Sequence, residues 1–584
     1  MLYTGAEIVL KVLRDLDVDF IFGYPGGAIL PIYDEIFKQN KIKHILVRHE
    51  QGAVHMAEGY ARSTGKVGIV LVTSGPGATN AVTGLTDALM DSIPILCLTG
   101  QVPTHLIGTD AFQEADTVGI TRSCTKHNYL VKDVNTIQKT IIEGYKIASS
   151  GRPGPVVVDL PKDIQNSKTT FKLNFKFKHK QNKNNQTIGK KYHSDIEKVI
   201  MLIKASKKPI VYIGGGLINS GLMASKELIK FSKLTNFPIT STLMGLGAFP
   251  SSNSSFLGML GMHGTYEANM AMHDCDLMLN IGARFDDRIT GRLDGFSPKS
   301  KKIHIDIDPS SVNKNVEVDI SLIGDAAKIL KIINIDLKKN KIKKLTSNSP
   351  WWNQIEKWKN KDCLSFINSN KTIKPQQALV SLNSKIKKKD FYITTEVGQH
   401  QMWAAQYIKF EKPKRWMTSG GLGTMGYGFP AAIGVQIAYP KSLVICVAGE
   451  ASFLMNIQEL STIKQYRLPV KVFILNNRYL GMVRQWQEFF HGGRYSESYT
   501  DSLPDFVKLA EAYGIKGLRA TKPSELNNVI NEMINFDGPV VADICVDEKE
   551  NVFPMIPSGA AHNEMKLNDN DNVATSTKDG KMLV

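Results

Sequence analysis

Short runs of Val, Ile and Leu, each cut off by Gly, Pro or a charge, constrain the fold of this chain more than any other feature. The first group is KHILVR (43–48), VGIVLVTSG (67–75), IPILCLTG (93–100) and GPVVVDLP (154–161). KPIVYIGGG (208–216), CDLMLNIGARF (275–285) and KIHIDIDP (302–309) form a second group. DFYITTEVG (390–398), SLVICVAGE (442–450), VKVFILNN (470–477) and PVVADICVD (539–547) form a third. A strand apolar on both faces belongs inside a parallel sheet covered by helices on each side, and helical patterns do separate these runs. Two basic stretches, KFKHKQNKNNQ (176–186) and DLKKNKIKKLTSN (336–348), stand between the groups and read as solvated linkers. The expected fold class is therefore α/β, with three successive doubly wound domains built on mainly parallel sheets. Their expected limits are 1–170, 188–335 and 370–548, followed by a C-terminal tail over 549–584, expected to be loose after Val552 because it has few apolar residues beyond VFPMIP (552–557). A chain of 584 residues is too long for a single core, which agrees.

Much of the net charge of +17 sits in lysine- and asparagine-rich stretches such as these linkers. No basic face interleaved with aromatic residues accompanies it, so nucleic acid is not an expected partner. The six cysteines are scattered without a CxxC pair, which suits a reducing compartment and argues against a disulfide framework or a structural zinc. MLYTGAEIVLKVLRDLDV at the N-terminus has acids and bases at helical spacing and reads as an amphipathic helix, not a signal peptide. No apolar stretch approaches the ~20 residues of a membrane span. The expected location is cytoplasmic.

Ligands of open parallel sheets lie beyond the carboxyl ends of the strands, so chemistry is sought there. VICVAGEASFLMN (444–456) places Glu450 at the end of one strand, and ILNN (474–477) places an asparagine pair at the end of the next. Hard oxygen ligands of this kind suit Mg²⁺ carrying a phosphate, and a nearby backbone carbonyl could join them. Packing with incidental polar ends is the alternative. VRHEQGAVHMAEGYAR (47–62) opens a helix with Glu50, either as a functional carboxylate or as a first-turn acid complementing the helix dipole. GGLGTMGYGFPAAIG (420–434) has the glycines to let backbone approach a ligand, or to make a tight helix–helix contact. The GGG at 214–216 is not GxGxxG and does not by itself indicate a dinucleotide site.

Gly449-Glu450-Ala451-Ser452 followed by Asn476-Asn477 resembles the metal and diphosphate motif of the thiamine-diphosphate-dependent enzymes, with glutamate where that family usually has aspartate. The resemblance extends over about 2–566 to the acetolactate synthase (acetohydroxyacid synthase) large-subunit family. It is carried by FGYPGGAILPIYD (22–34), VTSGPGATN (72–80), DAFQEAD (110–116), GRPGPVVVDLPKD (151–163), LGMHGTYEANMAMHDCDLMLNIGARFDDR (260–288), HIDIDP (304–309) and NNRYLGMVRQWQ (476–487). It implies a thiamine-diphosphate-binding fold with a central FAD-binding domain.

The resemblance also implies residue roles. Glu450, Asn477 and Tyr479 would hold Mg²⁺. Gly398, Gln399, His400, Gly423, Met425, Ala451, Ser452 and Gly481 would meet thiamine diphosphate, with Met425 as a wedge bending it and Glu50 bonded to N1′ of its aminopyrimidine. Arg152, His263, Gly264, Thr265, Arg284, Asp306 and Asp325 would meet FAD, in a structural role. Arg288 would clamp the acceptor carboxylate, and Trp486 and Met482 would shape its pocket. Gln113, Phe112, Lys162 and Gly27 fall at matching active-site positions. The implied reaction is a transfer: pyruvate loses CO₂, and its hydroxyethyl unit joins a second pyruvate or 2-ketobutyrate. The product is 2-acetolactate or 2-aceto-2-hydroxybutyrate, on the route to valine, leucine and isoleucine. The implied partners are a second copy of the chain, with active sites at the subunit interface, and a small regulatory subunit. A pyruvate oxidase-like flavoenzyme and a scaffold with a decayed metal site are the competing readings.

Overall fold

The computed structural model describes residues 2–170 and 190–571, and the basic stretch 176–186 lies outside them. It contains three six-stranded sheets in which every pairing is parallel. The first runs, in spatial order, Lys43–Leu46, Phe20–Gly23, Gly68–Val72, Ile95–Gln101, Pro155–Pro161 and His127–Leu130. The third runs Trp416–Met417, Phe391–Thr395, Leu443–Gly449, Lys471–Asn476, Val540–Cys545 and Lys516–Ala520. Numbered along the chain, both orders are 2-1-3-4-6-5, a likeness that no residue-level repeat reveals. The middle sheet runs Phe256–Met259, Ile239–Ser241, Pro209–Ile213, Leu277–Ile281, Lys301–Asp306 and Ile320–Ile323. Its order, 3-2-1-4-5-6, is that of dinucleotide-binding sheets. An antiparallel ribbon of Leu2–Thr4 with Lys168–Thr170 ties the two ends of the first domain together.

The first and third domains share a core. Helix Glu50–Thr64 lies against helix Gly428–Ala438, and residues of both belong to one apolar cluster with Val70, Val444 and Val472. Two glycines set the approach: a Cβ on Gly59 would stand 2.1 Å from the Ala431 carbonyl oxygen, and one on Gly434 would stand 1.9 Å from that of Met56. No other residue permits backbones to come this close.

Two expectations are corrected. The stretch 336–348 is only partly a linker, because helix Ala326–Lys339 ends inside it and buries Leu337. Helix Pro350–Lys359 then returns Trp351, Trp352 and Trp358 to the middle core, with the Trp351 indole donating to the Pro209 carbonyl at 3.0 Å. Nor is the segment after Val552 loose, as far as Asp571. Its few apolar residues, among them Met555, Ile556 and Ala561, are buried. Middle-domain backbone satisfies its polar groups: Ile556 N–H donates to Met262 O at 2.8 Å, and the His562 ring donates to Ile289 O at 2.6 Å. Sparse hydrophobicity is enough where a partner backbone takes up the hydrogen bonds. Among the described residues no helix is long and apolar enough to cross a membrane.

Candidate active site

Strands Leu443–Gly449 and Lys471–Asn476 are direct neighbours, with Gly449 opposite Leu475, so Glu450 and Asn477 emerge side by side at their carboxyl ends. Glu450 is 1% exposed, and neither carboxylate oxygen has a hydrogen-bond partner. Burial pushes its pKa up to about 8, although the amides of Asn477 and Tyr479 lie near enough to favour the charged form without closing a bond. A buried carboxylate left bare is costly. Asn477 spends its N–H on Gln399 Oε1 at 3.1 Å, which leaves Oδ1 as its ligating atom; that oxygen accepts from the Tyr479 amide at 3.2 Å. Bare carboxylate plus amide oxygen is a donor set that fits a hard divalent cation.

Around this pair the backbone is crowded by design of the residues. A Cβ on Gly398 or on Gly449 would land 2.8 Å from the His400 ring, and one on Gly481 would land 2.2 Å from Gln399 Oε1. Burial pushes His400 down to about 3, so its imidazole is neutral, and its Nε2 is buried without a partner. Gln399 has its side chain engaged within the protein. Its N–H groups go to Gln485 Oε1 at 2.8 Å and Glu550 O at 3.0 Å. What it offers is the backbone N–H in the first turn of helix Gln399–Tyr407. Ala451 and Ser452 likewise stand in the first turn of helix Glu450–Leu454, while the Ser452 hydroxyl donates to Val397 O at 3.2 Å.

The glycine-rich stretch is tightly packed at one end and open at the other. Gly428 and Gly434 make tight backbone contacts, whereas Gly423 has a φ of +75° and nothing within 4 Å of its Cβ position. Met425 stands half-buried between Gly423 and Gly426. The loop is pinned by Glu396, which accepts from Gly426 N at 2.7 Å and Phe429 N at 2.9 Å. Asn456 donates to Gly426 O at 2.6 Å. Burial raises Glu396 to about 7 despite these amides.

Glu50 opens helix Glu50–Thr64 behind an N-cap made by His49 Nδ1, and its Oε2 accepts from Asn80 Nδ2 at 3.0 Å. Glu459 holds the approach to it, accepting from Arg48 N at 2.9 Å and His49 N at 3.1 Å. Gly27, Gln113 and Lys162 lie at the same carboxyl edge: Gly27 after strand Phe20–Gly23, Gln113 at φ +60° with its carbonyl against Gly75, and Lys162 directly after strand Pro155–Pro161. Phe112 is 89% exposed. No hydrogen bond or ion pair joins the Glu50 group to the Glu450 group among the described residues. Arg288, from the middle domain, stands over the Trp486 ring at 5.6 Å. Trp486 and Met482 line a cavity of ≈ 670 Å³ together with His491 and Arg494.

At the carboxyl edge of the middle sheet, Gly214 and Gly216 pack on Gly282, where a Cβ on Gly214 would stand 2.3 Å from its carbonyl oxygen. Arg152 reaches this edge from the first domain, bonded to Ser92 Oγ at 2.8 Å and 3.7 Å from Asp308. Arg284 pairs with Asp286 at 2.9 Å. His263 is buried, with Nδ1 donating to Pro554 O at 3.1 Å and Nε2 unpartnered. Thr265 and Asp325 cap helices Tyr266–Asp274 and Ala326–Lys339, Gly264 has no room for a side chain, and Asp306 accepts from Asp308 N at 2.8 Å. Glu396, Asn456, Glu459 and Asn80 are the supporting residues that sequence reasoning passed over. Glu396 follows a strand just as Glu450 does, so the same rule could have found it.

Residues 3–120 match the family model described as thiamine pyrophosphate enzyme, N-terminal TPP binding domain. Residues 196–344 match its central domain and 396–544 its C-terminal TPP binding domain. The acetolactate synthase large subunit of Haemophilus influenzae (strain ATCC 51907 / DSM 11121 / KW20 / Rd) is 50% identical over 565 residues, covering 97% of this chain and 98% of the relative. The isozyme 3 large subunit of Escherichia coli (strain K12) is 49% identical over 571 residues, with the same coverage. That of Buchnera aphidicola subsp. Schizaphis graminum is 50% identical over 570 residues, again 97% and 98%. With the three domains matched in order and such identity along nearly the whole length, the chain belongs to the acetolactate synthase large-subunit family of thiamine pyrophosphate enzymes.

Proposed function

We propose that this chain is the catalytic subunit that makes 2-acetolactate from two pyruvates, and 2-aceto-2-hydroxybutyrate from pyruvate and 2-ketobutyrate, for branched-chain amino acid synthesis in the cytoplasm. The observation that carries the proposal is the bare, buried Glu450 carboxylate beside Asn477, in a chain of this family. Glu450, Asn477 Oδ1 and the Tyr479 carbonyl would hold Mg²⁺. The first-turn amides at Gln399, Ala451 and Ser452 and the free Nε2 of His400 would bind the diphosphate, with Gly398 and Gly481 keeping the approach open. Gly423 and Met425 would face the rings. Thiamine diphosphate, when bound, supplies the electron sink that lets a 2-keto acid lose CO₂.

The chain's own residues would do the rest. Glu50, oriented by Asn80 and by the Glu459 clamp, would hold and return a proton at the aminopyrimidine N1′. Arg288 presents a guanidinium able to grip the acceptor carboxylate in bidentate fashion. Trp486 and Met482 wall the cavity beneath it and would favour a longer acceptor side chain. Gln113, Phe112, Lys162 and Gly27 would close the site from the first domain. For FAD, the dinucleotide-type strand order, the unpartnered His263 Nε2 and the two arginines Arg152 and Arg284 fit a flavin held for structure. Gly264, Thr265, Asp306 and Asp325 would shape its edge. The functional unit would be a homodimer with shared sites, served by a small regulatory subunit.

The test is direct. Purified chain with thiamine diphosphate, Mg²⁺ and FAD is expected to convert pyruvate to acetolactate without net flavin reduction. Pyruvate-driven bleaching of the flavin would point to an oxidase instead, and no turnover with the regulatory subunit present would remove the proposal. Glu50→Gln is expected to lose ~10²–10⁴-fold in kcat while keeping FAD.

A further inference from the structure

The loop that carries Met425 is suspended from the first domain of its own chain. Arg62, on helix Glu50–Thr64, donates to Thr418 O at 2.6 Å. Asp87, on helix Val82–Met90, accepts from the hydroxyls of Ser419 and of Thr424, the latter at 3.2 Å. Asp91 accepts from Gly420 N at 2.9 Å and Gly421 N at 2.7 Å. Arg62 stands 3.6 Å from Asp91 and offsets its charge. Within the loop, Ser419 Oγ accepts from Thr424 N at 2.8 Å, so the residue before Met425 is fixed at both its amide and its hydroxyl. Gly421 has no room for a side chain, since a Cβ there would meet Met90 at 2.8 Å and Asp91 Oδ1 at 2.9 Å.

Ordinary domain packing would put apolar side chains at this seam. Here the buried Asp87 and the buried side chain of Asp91 are used instead, and their loop partners lie on either side of the open stretch Leu422–Gly423. Desolvated carboxylates are expensive unless their acceptors are used. Asp87 Oδ1 and both Asp91 oxygens are used on the loop, while Asp87 Oδ2 has no hydrogen-bond partner and the carboxyl sits beside the buried His55 and Glu58.

We propose that Asp87 and Asp91 are positioning residues for Met425, so that the first domain sets the placement of the cofactor-facing loop of its own third domain. The inference rests on the thiamine diphosphate reading above. If the sites are shared between two chains, one first domain then governs two cofactors: it lends Glu50 to one and holds the Met425 loop for the other.

The test uses Asp87→Ala, Asp91→Ala and, from the opposite side of the seam, a Ser419→Ala/Thr424→Val double variant that leaves the first domain intact. Three readouts are taken: amide hydrogen exchange of peptide 418–429 in cofactor-free protein, Kd for thiamine diphosphate with Mg²⁺, and deuterium exchange at C2 of the bound coenzyme. Expected are loop exchange faster by ~10-fold or more and a Kd within ~3-fold of wild type, because the diphosphate anchor is untouched. C2 exchange is expected to be slower by ~100-fold, the size of effect that a small misplacement produces. Combining Asp87→Ala with Thr424→Val should add nothing to the larger single effect. C2 exchange at the wild-type rate in the variants, or full additivity of that pair, overturns the inference. If the aspartate variants fail to fold, the Ser419/Thr424 variant decides it by the same readouts. A wild-type chain that binds no thiamine diphosphate overturns the functional reading and the inference with it, whereas wild-type binding with unaffected variants overturns the inference alone.

Discussion

Glu396, Glu450 and Glu459 are all buried, yet only one of them asks for something from outside. Glu396 is answered by two loop amides. Glu459 is answered by the amides of Arg48 and His49 and by the Thr462 hydroxyl at 2.6 Å. Glu450 closes no hydrogen bond in the chain, and that contrast supports the metal-ligand role proposed for it. Glu450→Ala is expected to weaken thiamine diphosphate binding by ~100-fold and to erase its dependence on Mg²⁺, whereas Glu450→Asp should keep both; titration calorimetry with and without a chelator reads this. Glu459 gives a prediction in pH. Burial raises it to about 7, above its ordinary 4.5, so it costs stability from the unfolded value upward, and the cost reaches its full size once pH passes the folded value. Glu459→Gln keeps an acceptor for both amides. Its melting temperature relative to wild type is therefore expected to climb between pH 5 and 8, by an amount on the order of 1–3 kcal/mol of stability. A flat difference across that range would show that the carboxyl is not what titrates. Of these acids, Glu450 was legible because it ends a strong apolar run beside another ending in asparagines. Glu459 was not, because it sits in a helical turn whose partners are over four hundred residues away.

At the scale of elements, the runs read from sequence all became strands, and most of the strands that were missed lie at sheet edges. His127–Leu130, Phe256–Met259, Ile320–Ile323, Trp416–Met417 and Lys516–Ala520 each pair on one side only. A strand with one neighbour is less fully covered, so its residues need not be uniformly apolar, and the signal fades. Helix Glu50–Thr64 is buried nearly all round, so the small residues Ala53, Ala57 and Ala61 are only part of its packed surface. The glycines within one stretch differ in what they tolerate. Gly434→Ala would drive a methyl into the Met56 carbonyl and is expected to cost ~2–4 kcal/mol and disturb the seam between the first and third domains. Gly423→Ala meets open space and bears only the left-handed backbone, about 1 kcal/mol. Thermal unfolding of the two variants separates these cases, and equal losses would contradict the packing argument.

For the whole molecule, the strand orders were the part sequence could not give. Parallel runs announce α/β layers, but neither the 2-1-3-4-6-5 order of the outer sheets nor the 3-2-1-4-5-6 order of the middle one follows from local pattern, because crossover partners are chosen by tertiary packing. A shared-site dimer makes a quantitative prediction at this scale. Glu50→Gln and Asn477→Ala homodimers should each be inactive, while refolding them together should restore about a quarter of wild-type turnover, since half the dimers would be mixed and each would hold one intact site. No recovery would mean that each chain completes its own site. The segment from Val552 to Asp571 has its own consequence. It belongs by sequence to the far end of the chain but lies across residues 262–292, next to Arg288. A polypeptide emerging from the ribosome would thus leave that rim unfinished until residues 552–571 had been made, so a nick near position 552 should blunt the acceptor recognition proposed for Arg288 long before it melts the three domains.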